Sequence, residues 1–135
     1  MKKYGVMKEV HFCYGHRLLR YNGKCRFLHG HNARVQIELA ADRCDRRGMV
    51  VDFGDIEDVL EKWLDKNLDH KMLLNREDSL IAQFKRLKQP VYVMDENPTA
   101  EAIAKLIYRV ARKQGFPVVE VRLWETPSSY ASYRE

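Results

Sequence analysis

Apolar and polar side chains alternate along several stretches of the chain, a pattern that predicts strands with one buried and one exposed face. In the clearest stretch, Val35, Ile37 and Leu39 alternate with polar neighbours. In a second stretch, near the C-terminus, the same alternation begins with Val119 on the apolar face. We therefore predict strands at 34–39, at 119–124 and, from a weaker pattern, at 4–12, with 128–133 as a candidate fourth strand.

Two other stretches follow a helical period. Apolar residues recur at three- and four-residue steps over 53–64, with Asp52 and Asp55 as candidate caps. The same period covers 100–111, directly after Thr99, which can cap that helix. Both helices are amphipathic, so we expect two helices on one face of the sheet. The order strand, strand, helix, helix, strand favours an α+β fold with an antiparallel sheet over a parallel βαβ arrangement.

Length and charge narrow the class of protein. With 135 residues and a hydrophobic fraction of 45%, we expect a single domain spanning 1–135. The net charge of +5 favours an anionic partner, and a phosphorylated small molecule suits it as well as nucleic acid does. The longer basic stretches, 43–47 and 85–88, lack the interleaved aromatic residues of a base-stacking platform. We therefore interpret them as solvated surfaces and predict no nucleic-acid partner.

Targeting signals and cysteine usage indicate the cellular compartment of the protein. Residues 1–10 have no apolar core of signal-peptide length, and no run approaches the span that a bilayer needs. Three cysteines without repeated spacing argue against a disulfide framework and for reduced thiols. We therefore predict a cytoplasmic protein with no membrane partner.

Three histidines form a candidate zinc site. His29 and His31 are two residues apart, so on an extended backbone both imidazoles project to the same side. His16 would join them if the segment between the two stretches folds back as a hairpin. Three neutral nitrogens with a free fourth position are typical of catalytic zinc. On spacing alone, an accidental His-x-His pair remains an alternative.

Cys25 lies close to this histidine pair along the chain. A nearby zinc ion, Lys24 and Arg26 would favour its thiolate and make it a usable base. Two alternatives stay open, a fourth zinc ligand that closes the site and a buried apolar thiol. Cys13 and Cys44 fit an inert role better.

Two acidic positions are further candidates. Asp69 precedes His70, and an acid beside a histidine can fix the ring tautomer and relay a proton. Glu125 ends the late strand, where its two oxygens could accept parallel N–H bonds from an amino-pyrimidinone edge. The alternatives are an ordinary turn for the Asp-His pair and a surface ion pair with Arg122 for the glutamate.

Six motifs in this order resemble the 6-pyruvoyl-tetrahydropterin synthase and 6-carboxy-tetrahydropterin synthase family. The resemblance runs from about Phe12 to about Tyr133, nearly the whole chain. The motifs are Phe12-Cys13-Tyr14-Gly15-His16-Arg17-Leu18, Cys25-Arg26-Phe27-Leu28-His29-Gly30-His31, Gly48-Met49-Val50-Val51-Asp52-Phe53, Leu68-Asp69-His70, Asn97-Pro98-Thr99-Ala100-Glu101 and Glu125-Thr126.

The resemblance implies a tunnelling fold, a four-stranded antiparallel sheet with two helices on one face. Three subunits would join their sheets into a barrel, and two trimers would stack as a hexamer with active sites between subunits. It further implies a Zn²⁺ cofactor and a dihydropterin triphosphate substrate. The residues that match the family's functional positions are His16, His29 and His31 for zinc, Cys25, Asp69 and His70 for catalysis, with the Asp-His pair from the neighbouring subunit, and Glu125, Thr99 and Glu101 for the pterin.

The same resemblance implies a lyase reaction. The carboxy-forming enzymes, which feed queuosine synthesis, have a cysteine three residues from a Leu-His-Gly-His run, as Cys25 is here. We therefore expect 7,8-dihydroneopterin triphosphate to yield 6-carboxy-5,6,7,8-tetrahydropterin, acetaldehyde and triphosphate. The alternatives are 6-pyruvoyl-tetrahydropterin synthesis from the same substrate and a non-catalytic module with structural zinc.

Overall fold

The computed structural model describes residues 2–135, so Met1 of the expected domain lies outside the described residues. Six strands form one sheet in the order β4-β3-β1-β2-β5-β6. Three helices accompany them: α1 over 53–67, which includes a π-helical stretch at Ile56–Glu61, α2 at Leu80–Arg86 and α3 at Ala100–Lys113. The strands are β1 Tyr4–His16, β2 His29–Ala41, β3 Lys71–Asn75, β4 Val91–Met94, β5 Val118–Thr126 and β6 Ser129–Tyr133.

The predicted sheet is correct in part. Strands β1, β2, β5 and β6 pair antiparallel, as expected, and the fourth strand exists. The prediction of a four-stranded antiparallel sheet is wrong, because β3 pairs parallel with β1, and β4 pairs parallel with β3. Both additional strands are short, and the three central residues of β3 are consecutive apolar residues without alternation, as is common in parallel strands.

Both predicted helices pack on one face of the sheet, as expected. Apolar residues of α1 and α3, such as Leu64 and Ile107, share a buried cluster with the inward face of β1, β2 and β5. The third helix, α2, was not predicted and contributes no buried residue. No helix within residues 2–135 is long and apolar enough to cross a membrane.

A register shift corrects the inward face of β5. Val118, and not Val119, pairs with Leu39 and is fully buried, because the β2–β5 register shifts between Glu38 and Leu39. A β-bulge of this kind breaks the two-residue alternation locally. From Val121 onward, the predicted alternation holds.

The long hairpin of β1 and β2 positions the histidines. Its register places His16 opposite His29 and Tyr14 opposite His31. Side chains two residues apart on a strand share a face, so all four project to the side that carries the core. The predicted hairpin between the first histidine and the pair is therefore confirmed.

A buried ion pair holds the chain where it leaves β1. The guanidinium of Arg17 donates two hydrogen bonds to Asp78, at 2.8 and 2.6 Å, and the Asp78 side chain is fully buried. The same carboxylate accepts the backbone N–H of Leu80 at the start of α2. Burial alone would raise the pKa of Asp78, but the Arg17 bonds outweigh it and the pKa lies below its ordinary value.

We expect Asp78→Asn to lower the free energy of unfolding by about 2–3 kcal/mol at neutral pH, because charged hydrogen bonds to a buried group are lost. Since the folded-state pKa is depressed, this contribution is complete above the unfolded pKa and is lost as pH falls through the lower folded value. Urea unfolding at a series of pH values measures both. Glu77→Gln is the matched control, since Glu77 pairs with Arg20 on the surface. An equal effect of both substitutions would contradict the prediction.

Candidate metal centre and active site

The three predicted ligand histidines converge. The ligand atoms of His16, His29 and His31 all lie within 4.8 Å of one another. The Nε2 atoms of His16 and His29 are 3.0 Å apart. His16 is almost completely buried, whereas the other two are partly exposed. One side of the cluster is therefore open to an incoming molecule.

Backbone carbonyls set the tautomers of two of these rings. His16 Nδ1 donates to the carbonyl of Pro98 at 2.6 Å, and His29 Nδ1 donates to that of Phe27 at 2.8 Å. With Nδ1 protonated, Nε2 of each neutral ring presents a lone pair. The pKa of His16 is lowered because burial disfavours the imidazolium form.

This donor set fits a zinc ion. Two facing lone pairs 3.0 Å apart repel each other unless a cation lies between them. Two ligands of a tetrahedral zinc ion lie roughly 3.3 Å apart at bond lengths of about 2.0–2.1 Å, close to the observed separation. Carbonyl bonds to the opposite ring nitrogens are the usual means of orienting ligand histidines.

Glu125 lies beside the histidines. Its Oε2 is 3.6 Å from Nε2 of both His16 and His31, and it accepts a hydrogen bond from the Tyr14 hydroxyl at 2.9 Å. The alternative pairing with Arg122 is not observed, because Arg122 donates to Glu120 instead. The second oxygen of Glu125 remains available to a ligand in the same space.

Tyr14 is a site residue that the sequence analysis did not assign. Burial, followed by the charge of Glu125, raises the pKa of Tyr14, so its hydroxyl stays protonated and donates. The sequence does contain a signal for this role, because Tyr14 lies two residues before His16 and therefore on the same face of the strand.

Cys25 lies on a single turn of 3₁₀ helix at Lys24–Arg26. The Leu18 N–H donates to the Cys25 carbonyl at 2.8 Å, which closes the loop over the end of β1. Cys25 is a free, partly exposed thiol, unlike the buried apolar thiol considered above. The cysteine therefore lies in the loop that follows β1 and precedes the histidine pair.

The segment from Asn97 to Thr99, directly before α3, holds the site by hydrogen bonds. The Asn97 side chain accepts the N–H of Leu19 at 3.0 Å and donates to its carbonyl at 2.8 Å. Pro98 supplies the carbonyl that orients His16. Thr99 caps α3 by accepting the N–H of Ala102, as predicted for the cap. One short segment thus fixes a candidate ligand and the loop that carries the cysteine.

We expect Asn97→Ala to release this loop and to lower the free energy of unfolding by about 1–2 kcal/mol, since two hydrogen bonds to Leu19 are lost. The direct measurement is hydrogen exchange at the Leu19 amide, which should lose its protection. Asn22→Ala is the control, because the exposed Asn22 lies on the same loop and contributes only its carbonyl there. Unchanged protection of Leu19 in the Asn97 variant would show that the loop is held by other contacts.

Three predicted site residues remain to be placed, Glu101 and the Asp69–His70 pair. Glu101 is exposed in the first turn of α3. Asp69 and His70 are bonded to each other at 2.7 Å and lie beside Cys13, whose N–H donates to Asp69 at 2.9 Å. Within residues 2–135, no hydrogen bond or ion pair joins either of them to Cys25.

A cavity of about 650 Å³ borders both the histidine cluster and the turn that carries His70. Its lining includes His29, His31 and His70, together with Cys13 and Phe84. This volume suits a bicyclic ligand with a side chain, since small-molecule sites are typically ~300–1,000 Å³.

The chain is similar along most of its length to proteins of one enzyme family. The family model described as 6-pyruvoyl tetrahydropterin synthase matches residues 5–135. The 6-carboxy-5,6,7,8-tetrahydropterin synthase of Rickettsia conorii is 38% identical over 130 residues, covering 91% of this chain and 94% of the relative. The enzyme of that name from Haemophilus influenzae is 30% identical over 138 residues, covering 96% and 98%.

Solved structures show the same fold. An uncharacterised protein of Wolinella succinogenes superimposes with a TM-score of 0.80 at 26% identity, covering 98% of both chains. The 6-pyruvoyl tetrahydropterin synthase of Caenorhabditis elegans has a TM-score of 0.68 at 22% identity, covering 100% of this chain and 99% of the other.

Proposed function

The chain belongs to the 6-pyruvoyl tetrahydropterin synthase family, and we propose that it is a zinc-dependent lyase that forms 6-carboxy-5,6,7,8-tetrahydropterin from 7,8-dihydroneopterin triphosphate, releasing acetaldehyde and triphosphate. The observation that carries the proposal is the convergence of His16, His29 and His31 beside Glu125. The relatives named for this product cover more than nine tenths of the chain.

In this proposal His16, His29 and His31 hold the zinc ion. When bound, zinc supplies Lewis acidity toward oxygens of the substrate side chain. Buried His16 is held by the Pro98 carbonyl, and His29 by that of Phe27, so two of the three rings are oriented before any ligand arrives. Such preorganisation reduces the rearrangement needed for binding.

Glu125 anchors the pterin ring. One carboxylate oxygen is fixed by the Tyr14 hydroxyl, which leaves the other to accept an N–H of the amino-pyrimidinone edge. Tyr14 acts here as a positioning residue. The resemblance assigns Thr99 and Glu101, at the start of α3, to the pterin pocket as well.

Cys25 moves the protons, with Asp69 and His70 as the relay. The resemblance assigns the Asp-His pair to a neighbouring subunit, and the lack of any hydrogen bond or ion pair between Cys25 and either residue within residues 2–135 supports this assignment. The sheet supports such an assembly, since β4 and β6 end it with free edges that can pair with another copy. We accordingly propose trimeric barrels stacked as a hexamer. The three free cysteines support a reducing cytoplasmic compartment.

The decisive experiment is incubation of zinc-loaded protein with 7,8-dihydroneopterin triphosphate. We expect equal amounts of acetaldehyde and 6-carboxy-5,6,7,8-tetrahydropterin, measured by aldehyde trapping and mass spectrometry. A 6-pyruvoyl product without acetaldehyde would instead identify the 6-pyruvoyl activity named by the family model. Zinc binding without turnover of any dihydropterin would identify a structural-zinc module, and the proposed reaction would be wrong.

A further inference from the structure

We propose that Cys13, Asp69 and His70 form a second cation site, separate from the three histidines, that takes a thiophilic divalent metal such as zinc and thereby switches the enzyme off. The inhibitory part rests on the proposed function, whereas the binding site itself does not. The thiol of Cys13, a carboxylate oxygen of Asp69 and a ring nitrogen of His70 all lie within 4.8 Å of one another.

Strand pairing brings these residues together. Cys13 lies on β1, and the Asp-His pair forms the turn that leads into β3, the parallel neighbour of β1. Two backbone contacts tie the turn to the strand: the His70 N–H donates to the Cys13 carbonyl at 2.8 Å, and the Cys13 N–H donates to Asp69 Oδ1 at 2.9 Å. The fold therefore holds the backbone of these three residues together, so that their side chains start from adjacent positions.

The ligand chemistry selects the metal class. A thiolate, an imidazole and a carboxylate together favour zinc or cadmium over magnesium or calcium, which take oxygen ligands. Binding would displace one proton to solvent, from the Cys13 thiol, while the neutral His70 ring carries its proton on Nε2 and presents the Nδ1 lone pair. Three protein ligands leave the fourth position to water.

Only a small adjustment is needed. His70 Nδ1 and Asp69 Oδ2 are 2.7 Å apart, and ligands on a tetrahedral zinc ion lie roughly 3.3 Å apart. The His70 side chain is 78% exposed, so the ring is free to move by this amount. The cavity lined by Cys13 and His70 gives the ion access from solvent.

Occupation of this site would stop the proposed relay. Proton transfer needs a free nitrogen on His70 and an Asp69 oxygen that accepts its N–H bond. A metal ion bound to both groups occupies the ring nitrogen that exchanges the proton and the carboxylate oxygen that accepts its N–H bond. Zinc would then be required at the three histidines and inhibitory in excess.

The test uses full-length protein already loaded with one equivalent of zinc and titrated with Cd²⁺. We expect a sulfur-to-cadmium charge-transfer band in the ultraviolet as a second equivalent binds. Cys13→Ala should weaken this binding at least tenfold while retaining the backbone N–H bond to Asp69. Cys13→Ser and His70→Ala should weaken it similarly, and Cys25→Ala and Cys44→Ala should not.

The activity arm compares, for each variant, turnover with and without added zinc. We expect excess zinc to inhibit the wild type at least tenfold and to leave the rate of Cys13→Ala unchanged relative to its own rate without added zinc. An undiminished cadmium band in both Cys13 variants, or its absence from the wild type, would overturn the site. Cadmium binding at Cys13 with no zinc inhibition would overturn the switch. If the protein turned over no pterin, the proposed function would fail while the cadmium titration still decided the site.

Discussion

Replacement of Cys25 by alanine is expected to lower turnover of 7,8-dihydroneopterin triphosphate by about 10²–10⁴-fold, the usual contribution of a positioned acid or base. The partly exposed thiol lies on the 3₁₀ turn over the end of β1. Zinc content should be unchanged, because the three histidines do not depend on the thiol.

Two measurements on the same preparation distinguish a catalytic thiol from a zinc ligand. They are turnover, and bound zinc by elemental analysis after dialysis. Cys44→Ala is the matched control, since Cys44 is also a free, partly buried cysteine but lies in a distant charged turn. Loss of zinc from the Cys25 variant would mean that the thiol is a fourth ligand and that the site is closed. Full activity would remove the cysteine from the mechanism altogether.

Replacement of His29 by alanine is expected to weaken zinc binding by more than about 100-fold, because loss of an outer-shell partner alone commonly costs 10–100-fold. Turnover should disappear with the metal. His29 is a better choice than His16, which is buried and whose removal would also leave a cavity beside Pro98.

The measurement is zinc retention during titration with a chelator of known affinity, together with the melting temperature with and without zinc. A ligand that binds only the folded state raises the melting temperature, so the zinc-dependent increase should vanish in His29→Ala. His11→Ala is the control, because His11 is an exposed histidine on the same hairpin, bonded only to Glu9. Wild-type zinc affinity in the His29 variant would be incompatible with a three-histidine centre.

Excess zinc must be avoided in both experiments. If Cys13, Asp69 and His70 bind a second ion, activity will peak near one equivalent of zinc and fall beyond it. Protein should therefore be loaded stoichiometrically before rates are compared.

Local patterns in the sequence determined much of the fold. The alternation at 34–39 and the helical period at 53–64 reflect side-chain periodicities of 2.0 and 3.6 residues, which the backbone imposes without reference to distant residues. The His-x-His spacing belongs to the same class of information, because a strand necessarily places His29 and His31 on one face. The convergence of His16 required only that β1 and β2 form a hairpin.

The tertiary structure decided what depends on pairing between distant segments. Strands β3 and β4 were not predicted, because short parallel strands lack the alternation of apolar and polar residues. Their pairing with β1 and with each other appears only in the folded sheet. The Tyr14–Glu125 bond joins residues 111 positions apart, and it required the β2–β5 register. The sequence predicts an inert Cys13, because no residue near it in the chain indicates that Asp69 will lie beside it. Periodicity is local in the chain, whereas a site is a set of distances that exists only once the strands have paired.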